Sequence, residues 1–166
     1  NNELIFKIKS PHANLNESID LIEVKESTIT IFLEGQESIK ITSNNSIIDT
    51  KKNVVRSTGE IIFLYLKNKE KFLADNLYWD IDKSIIEVYG NLQFITKEAN
   101  LVADKAVYLQ EENIINLTNI NYKSINGKSN DPAISIRSQR ATYNSELNSL
   151  EFYSDDSQVI SIIKLQ

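Results

Sequence analysis

The chain has 166 residues, Lys and Arg 18 against Asp and Glu 23 for a formal net charge of -5, and a hydrophobic fraction of 41%. That length supports one domain with a real core, and charges scattered in singles and pairs lack the basic stripe that nucleic-acid binding requires. Cysteine is absent, which excludes a disulfide frame, a thiol nucleophile and a zinc knuckle, and no apolar run reaches the roughly twenty residues of a membrane span.

From the N-terminus onward, the apolar residues recur at every second position. Phe6-Lys7-Ile8-Lys9 alternates, Pro11-His12-Ala13-Asn14 reads as a turn, and Thr28-Ile29-Thr30-Ile31 alternates again. Further turns are expected at Glu34-Gly35-Gln36, Thr50 to Asn53, Lys67-Asn68-Lys69, Ile81-Asp82-Lys83, Glu111-Glu112-Asn113 and Asn144-Ser145-Glu146, with the longest loop from Ser124 to Pro132. Between them lie segments rich in Ile, Val, Tyr, Phe and Thr, such as Ile86-Glu87-Val88 and Leu92-Gln93-Phe94. Period two in β-branched and aromatic residues predicts half-buried strands and no helix. The fold class is all-β.

One phrase repeats. It reads Ala74-Asp75-Asn76-Leu77-Tyr78-Trp79-Asp80, a turn, then Ile85 to Asn91, and it returns as Ala103-Asp104-Lys105-Ala106-Val107-Tyr108, a turn, then Ile114 to Asn119. A third copy runs Ser138 to Asn144 and on to Leu150-Glu151-Phe152; a weaker, earlier one runs Ser43 to Asp49 and on to Val54 to Gly59. The spacing is about thirty residues, which signals stacked units that cannot bury their apolar faces alone. A single domain over 1–166 is expected, with repeats near 38–66, 71–98, 99–130 and 134–160; the residues before Gln36 fit the phrase poorly.

Parity within the phrase assigns the faces. Leu77, Trp79, Val88, Leu92, Phe94, Ala106, Tyr108, Leu117, Tyr143 and Phe152 share the apolar face, while Glu87, Asn91, Gln93, Asn116 and Glu151 share the other. The first set is expected to line a continuous apolar trough inside a folded sheet. In most β-sandwiches such a stripe simply packs a filled core.

The phrase, in three or four ordered copies, resembles the OstA-like family of periplasmic lipopolysaccharide-transport proteins: LptA, LptC and the N-terminal domain of LptD. The resemblance is strongest over roughly residues 38 to 160. It implies a β-jellyroll folded like a taco, whose groove carries acyl chains and whose members dock edge strand to edge strand. Trp79, Tyr108 and Tyr143 match the aromatic position facing that groove; Ile48 replaces it in the first copy, and Asn119 stands where an earlier copy has Gly90. The expected function is non-enzymatic lipid binding and handover between inner and outer membrane, with lipopolysaccharide or a related lipid and proteins of the same fold as partners, and with self-association among the outcomes. A periplasmic location is expected, with a cleaved signal or an inner-membrane tether before Asn1.

The docking edges expected from the sequence are Leu4, Phe6 and Ile8 at one end and Val159, Ile160 and Ile162 at the other, since neither segment carries a proline or a charge block to blunt pairing. No cofactor or metal is expected. His12 is the only histidine and reads as a solvated turn residue. Asp80 with Asp82, and Asp155 with Asp156, lack the oxygen count and the glycine of a calcium loop and read as turn caps. Two other readings stay open. A self-associating β-solenoid scaffold would pack a filled, dry interior where a carrier keeps an apolar slot. A carbohydrate-binding or carbohydrate-cleaving β-domain would group exposed aromatics and carboxylates on one face.

Overall fold

In the computed structural model, residues 6–16, 20–67, 69–95, 99–124, 134–144, 147, 149–155 and 158–163 are described. They form twelve strands: β1 (Phe6–Lys9), β2 (His12–Asn16), β3 (Leu21–Leu33), β4 (Gln36–Asp49), β5 (Val54–Tyr65), β6 (Glu70–Asp80), β7 (Ile85–Ile95), β8 (Ala99–Leu109), β9 (Ile114–Ser124), β10 (Ile134–Asn144), β11 (Ser149–Tyr153) and β12 (Ile160–Ile163). From β3 to β11 each strand pairs antiparallel with the next in the chain. β1 and β2 both pair with β3, and β11 and β12 both pair with β10. The result is one open, twelve-stranded meander, the all-β architecture expected from the alternation.

The long strands do not run straight. Pairing is interrupted along them at a common level, and the interruptions line up as a spine: Glu26 on β3, Asn44 on β4, Gly59-Glu60 on β5, Asp75 on β6, Gly90-Asn91 on β7, Asp104 on β8 and Asn119 on β9. Register shifts mark the spine between Thr42 and Asn45, Thr58 and Ile61, Leu73 and Asn76, and Tyr89 and Leu92, as bulges do where a sheet must turn. Glu26, Gly59, Glu60, Gly90, Asn91 and Asn119 are left-handed. At Gly90, with φ +79°, a Cβ would meet Asp75 Cβ and Oδ2 at 3.1 Å, so this corner demands glycine on both conformational and steric grounds.

The spine explains the repeated phrase. The aspartate of each Ala-Asp pair is a corner latch: Asn91 Nδ2 donates to Asp75 Oδ2 at 2.6 Å, and Asn119 Nδ2 donates to Asp104 Oδ2 at 2.7 Å. At the spine the inward set breaks its alternation, stepping from Ala74 to Leu77, from Ala103 to Ala106 and from Leu117 to Ile120. The meander is thereby folded on itself into two walls, with the spine at the back and the hairpin turns along both lips.

The segment before Gln36 is part of the same stack. β3 bends at Glu26 as the later strands bend at their corners, and its inward Ile29 and Ile31 are fully buried. Its phrase is disguised because serines replace the apolar residues beside the spine. Ser27, Ser43, Ser46 and Ser57 are buried and joined hydroxyl to hydroxyl at 2.7 to 2.9 Å. The expected turn at Pro11 to Asn14 is corrected: His12 to Asn14 lie in β2, and only Ser10 and Pro11 interrupt the edge. An edge strand tolerates that break because it needs partners on one side only.

Candidate binding interior and strand edges

The two walls meet through aromatic side chains. On one wall Phe63, Phe72 and Phe94 stand opposite one another on β5, β6 and β7, with ring centroids 5.8 Å apart for the first pair and 4.4 Å, stacked, for the second. From the other wall Tyr108 approaches Phe63 at 6.1 Å and Tyr143 approaches Phe94 at 6.1 Å. Phe6 on β1 meets Trp79 on β6 edge-on at 5.0 Å, and Tyr122 meets Phe152 at 5.7 Å. The contacts from wall to wall join strands that are not sheet neighbours.

The residues singled out by parity lie on this interior face. Leu77, Trp79, Val88, Leu92, Ala106, Tyr108, Leu117 and Tyr143 are buried, while Phe94 and Phe152 are half-buried and pack against them. The space they enclose is small. Phe63, Phe72, Ile86, Val88, Ala106, Tyr108 and Ile115 line a wholly apolar cavity of about 10 Å³, room for one water at most. The trough is therefore present as a lining whose walls stand closed, because the aromatic rings of the two walls reach each other. Sequence parity gives no measure of that gap.

Along the lips, polar atoms of the interior residues find partners. Trp79 Nε1 donates to Gln110 Oε1 at 3.0 Å and Tyr108 Oη donates to Asn113 Oδ1 at 3.1 Å. Tyr143 Oη donates across from its wall to both carboxylate oxygens of Glu70, at 3.1 and 3.0 Å, and so ties β10 to β6. A cleft of about 230 Å³ opens between the lips above Trp79, bounded by Ile31, Phe32, Leu33, Ile81 and Gln110. Neither Glu70 nor Gln110 was marked by the repeated phrase; no signal in one sequence pairs a residue with one so distant.

Of the acidic pairs expected as turn caps, Asp80 caps its turn, and Asp49 caps another in the same way. Asp80 Oδ1 accepts from Lys83 N at 3.2 Å and Asp49 Oδ1 accepts from Lys52 N at 3.0 Å, while Asp82 Oδ1 accepts from Asn53 Nδ2 at 3.0 Å and stacks one turn on the next. The Lys83 ammonium, 2.5 Å from Asp80 Oδ2, is the main cause holding that carboxyl below its ordinary pKa, against burial, and the same contact raises Lys83. Burial pushes Asp49 up, but hydrogen bonds from the Lys52 backbone and ammonium outweigh it and leave the pKa lowered. Asp155 pairs with Arg140; Asp156 lies outside the described residues. Among the described residues no group of three or more His, Asp or Glu could hold a metal ion.

At the edges, Phe6 and Ile8 turn inward and are half-buried, while Val159, Ile160 and Ile162 are exposed. Leu4 lies outside the described residues. β1 with β2, and β11 with β12, each pair on one side only among the described residues.

The model of a family described as lipopolysaccharide-assembly, LptC-related, matches residues 96–159, the stretch that holds β8 to β11. Among solved structures, LptH, the LptA-homologous periplasmic component of the lipopolysaccharide transport device from Pseudomonas aeruginosa, aligns over 96% of this chain and 95% of its own at 12% identity and a TM-score of 0.36, a likeness too distant to argue from. Among curated proteins none matches. Over residues 96–159 the chain is similar to the LptC-related lipopolysaccharide-assembly family, which bears out the resemblance to the OstA-like transport proteins carried by its repeated phrase.

Proposed function

We propose that this chain is a non-enzymatic carrier of lipopolysaccharide or a related lipid, working in the periplasm as one domain of a protein bridge. The observation that supports it is the interior: a single apolar lining runs over both walls from Phe6 to Phe152, open along the lips above Trp79. Each methylene taken from water contributes about 0.8 kcal/mol, so an acyl chain enclosed even in part gains several kcal/mol. In the closed state the facing rings satisfy one another. Entry of a chain parts the walls and exchanges ring-to-ring contacts for ring-to-acyl contacts, which keeps the net gain small enough for release. The carrier reading assigns Leu77, Trp79, Val88, Leu92, Phe94, Ala106, Tyr108, Leu117, Tyr143 and Phe152 to acyl contact.

A photo-reactive side chain tests this. Placed at Phe94 or Phe152 it should crosslink to lipopolysaccharide, and placed at Glu87 or Gln93 it should not. Equal labelling of both faces would overturn the reading.

Docking of a partner of the same fold at β1 or β12 would extend the apolar lining across two molecules by strand addition. Pro at Ile160 or Ile162 removes one backbone donor from that edge, and should weaken docking while the fold persists. A self-associating scaffold is the second reading, favoured by the near-filled interior and the two one-sided edges. Concentration-dependent polymerisation without lipid, together with no interior crosslink, would select it.

A further inference from the structure

The outward faces of the two walls differ in charge. On the wall that carries Phe63, Phe72 and Phe94, two rows of residues point away from the interior, since they flank those rings in sequence on β5, β6 and β7. Strand pairing carries the rows across the whole wall, from Lys7 and Lys9 on β1 to Ile160 and Ile162 on β12. Lys7, Lys9, Lys40, Lys71, Lys123 and Arg137 stand in these rows, and no Asp or Glu does. That is a segregation, because over the whole chain acidic residues outnumber basic ones, 23 against 18. The matching rows of the other wall run from His12 and Asn14 on β2 to Tyr153 and Glu151 on β11, and they mix Glu23, Glu87 and Glu151 with Lys25, Arg56, Lys105 and Arg140.

On that mixed face Lys105 pairs with Glu87 at 2.6 Å, Arg140 pairs with Asp155, and Arg56 lies 5.6 Å from the centre of the Tyr78 ring. On the basic face only Lys40 has an ion-pair partner among the described residues, Glu37 at 3.1 Å. Of the carboxylates along the spine beside it, Asp75 and Asp104 are held by Asn91 and Asn119, and Glu60 is exposed. Between the cations stand the exposed aliphatic residues Ile62, Ile95, Val102, Ile160 and Ile162. Exposed Lys67 and Lys69, in the turn after β5, add positive charge at the lip of the same wall.

This mixture selects the occupant. The centres of protein interfaces are depleted of lysine and enriched in aromatic residues, whereas these rows hold lysines and no aromatic residue. Single-stranded nucleic acid is held by aromatic stacking, which is equally absent. An anionic bilayer surface suits both parts: phosphates for the lysines, and the boundary between headgroups and acyl chains for the aliphatic residues. The twist of the sheet turns the ends of the rows out of one plane, which centres the contact on β5 to β9.

We propose that this outer face docks on an anionic bilayer surface, with Lys71 and Lys123 on lipid phosphates and Ile62, Ile95 and Val102 in the headgroup boundary. Salt screening limits the attraction to the nearest face, so a chain of net charge -5 binds such a surface in one orientation. Docking does not depend on what the interior carries.

The test is flotation of the full chain with vesicles of phosphatidylcholine alone and of phosphatidylcholine mixed with phosphatidylglycerol. Binding is expected only to the mixed vesicles, and added salt should release it. Each lysine at such a surface is worth about fivefold in affinity, so Lys71→Gln combined with Lys123→Gln should weaken binding about twentyfold. Lys25→Gln, on the other wall, should leave binding unchanged, and Ile95→Ser should weaken it about threefold. No binding to the mixed vesicles, no loss from the paired substitution, or an equal loss from Lys25→Gln would overturn the proposal. Binding to duplex DNA as tight as to the vesicles, with Ile95→Ser neutral in both, would make the face a general polyanion surface and overturn the bilayer as its occupant. The vesicles hold no lipopolysaccharide, so failure here leaves the carrier reading to the interior crosslink, and failure of the crosslink leaves the docking face standing.

Discussion

Two regions of the folded meander are built differently. Around β3 to β5 the interior is closed: Ile29, Ile31, Ile39 and Ile41 are 0% exposed, and the serine cluster seals the spine behind them. Around β9 to β12 the inward Tyr122, Leu150 and Phe152 are only half-buried, β11 and β12 are short, and neither pairs with Ser138 or Gln139 of β10 between them. The first region is thus assembled as a core, while the second is more open among the described residues. On the proposed carrier reading, exchange of partners or cargo belongs to the more open region, because binding regions are drawn from the less stable parts of a structure.

The largest test of that contrast is truncation on each side. Ile31→Ala or Ile41→Ala should cost about 2–5 kcal/mol, since a fully buried side chain leaves a cavity. Phe152→Ala should cost less, about 1–2 kcal/mol, despite removing a larger group, as the ring is only partly buried. Equal losses in chemical denaturation would show that the two regions are equally well packed.

Next comes the serine cluster. Ser46 Oγ contacts the hydroxyls of Ser27, Ser43 and Ser57, so Ser46→Ala strands buried polar groups and should cost about 1–3 kcal/mol. A neutral Ser46→Ala would mean that these hydroxyls are satisfied without it. Gly90→Ala should cost about 1–2 kcal/mol, from strain at a left-handed residue and the clash with Asp75. Asn119→Gly, at the matching corner nearer the open end, should change stability far less, because it relieves strain while losing the bond to Asp104.

The smallest effect expected is that of the turn caps. The lowered Asp49 and Asp80 carboxyls contribute stability that is present above the unfolded aspartate pKa of about 3.9 and lost as pH falls through the folded value. The melting temperature of Asp80→Asn should therefore trail the parent at neutral pH and meet it in acid. The raised Lys83 adds a second closing of the gap at alkaline pH, above its unfolded value of about 10.4. A gap that persists into acid would remove the carboxylate from the explanation.

Strand identity, the two faces of each strand and the thirty-residue stack were legible in the sequence because period two and turn chemistry are local. Leu77, Trp79, Val88 and Phe94 share a face whatever else the chain does. The Ala-Asp and Gly-Asn words of the phrase were visible as repetition, but their meaning as a latch across a bent spine needed the strands side by side. What only the tertiary structure decided depends on where the walls meet. Phe63 meets Tyr108 and Glu70 meets Tyr143 across the two walls, and the rings close the trough to a small cavity. These are distances between residues far apart in the chain, and alternation along a strand carries no information about them.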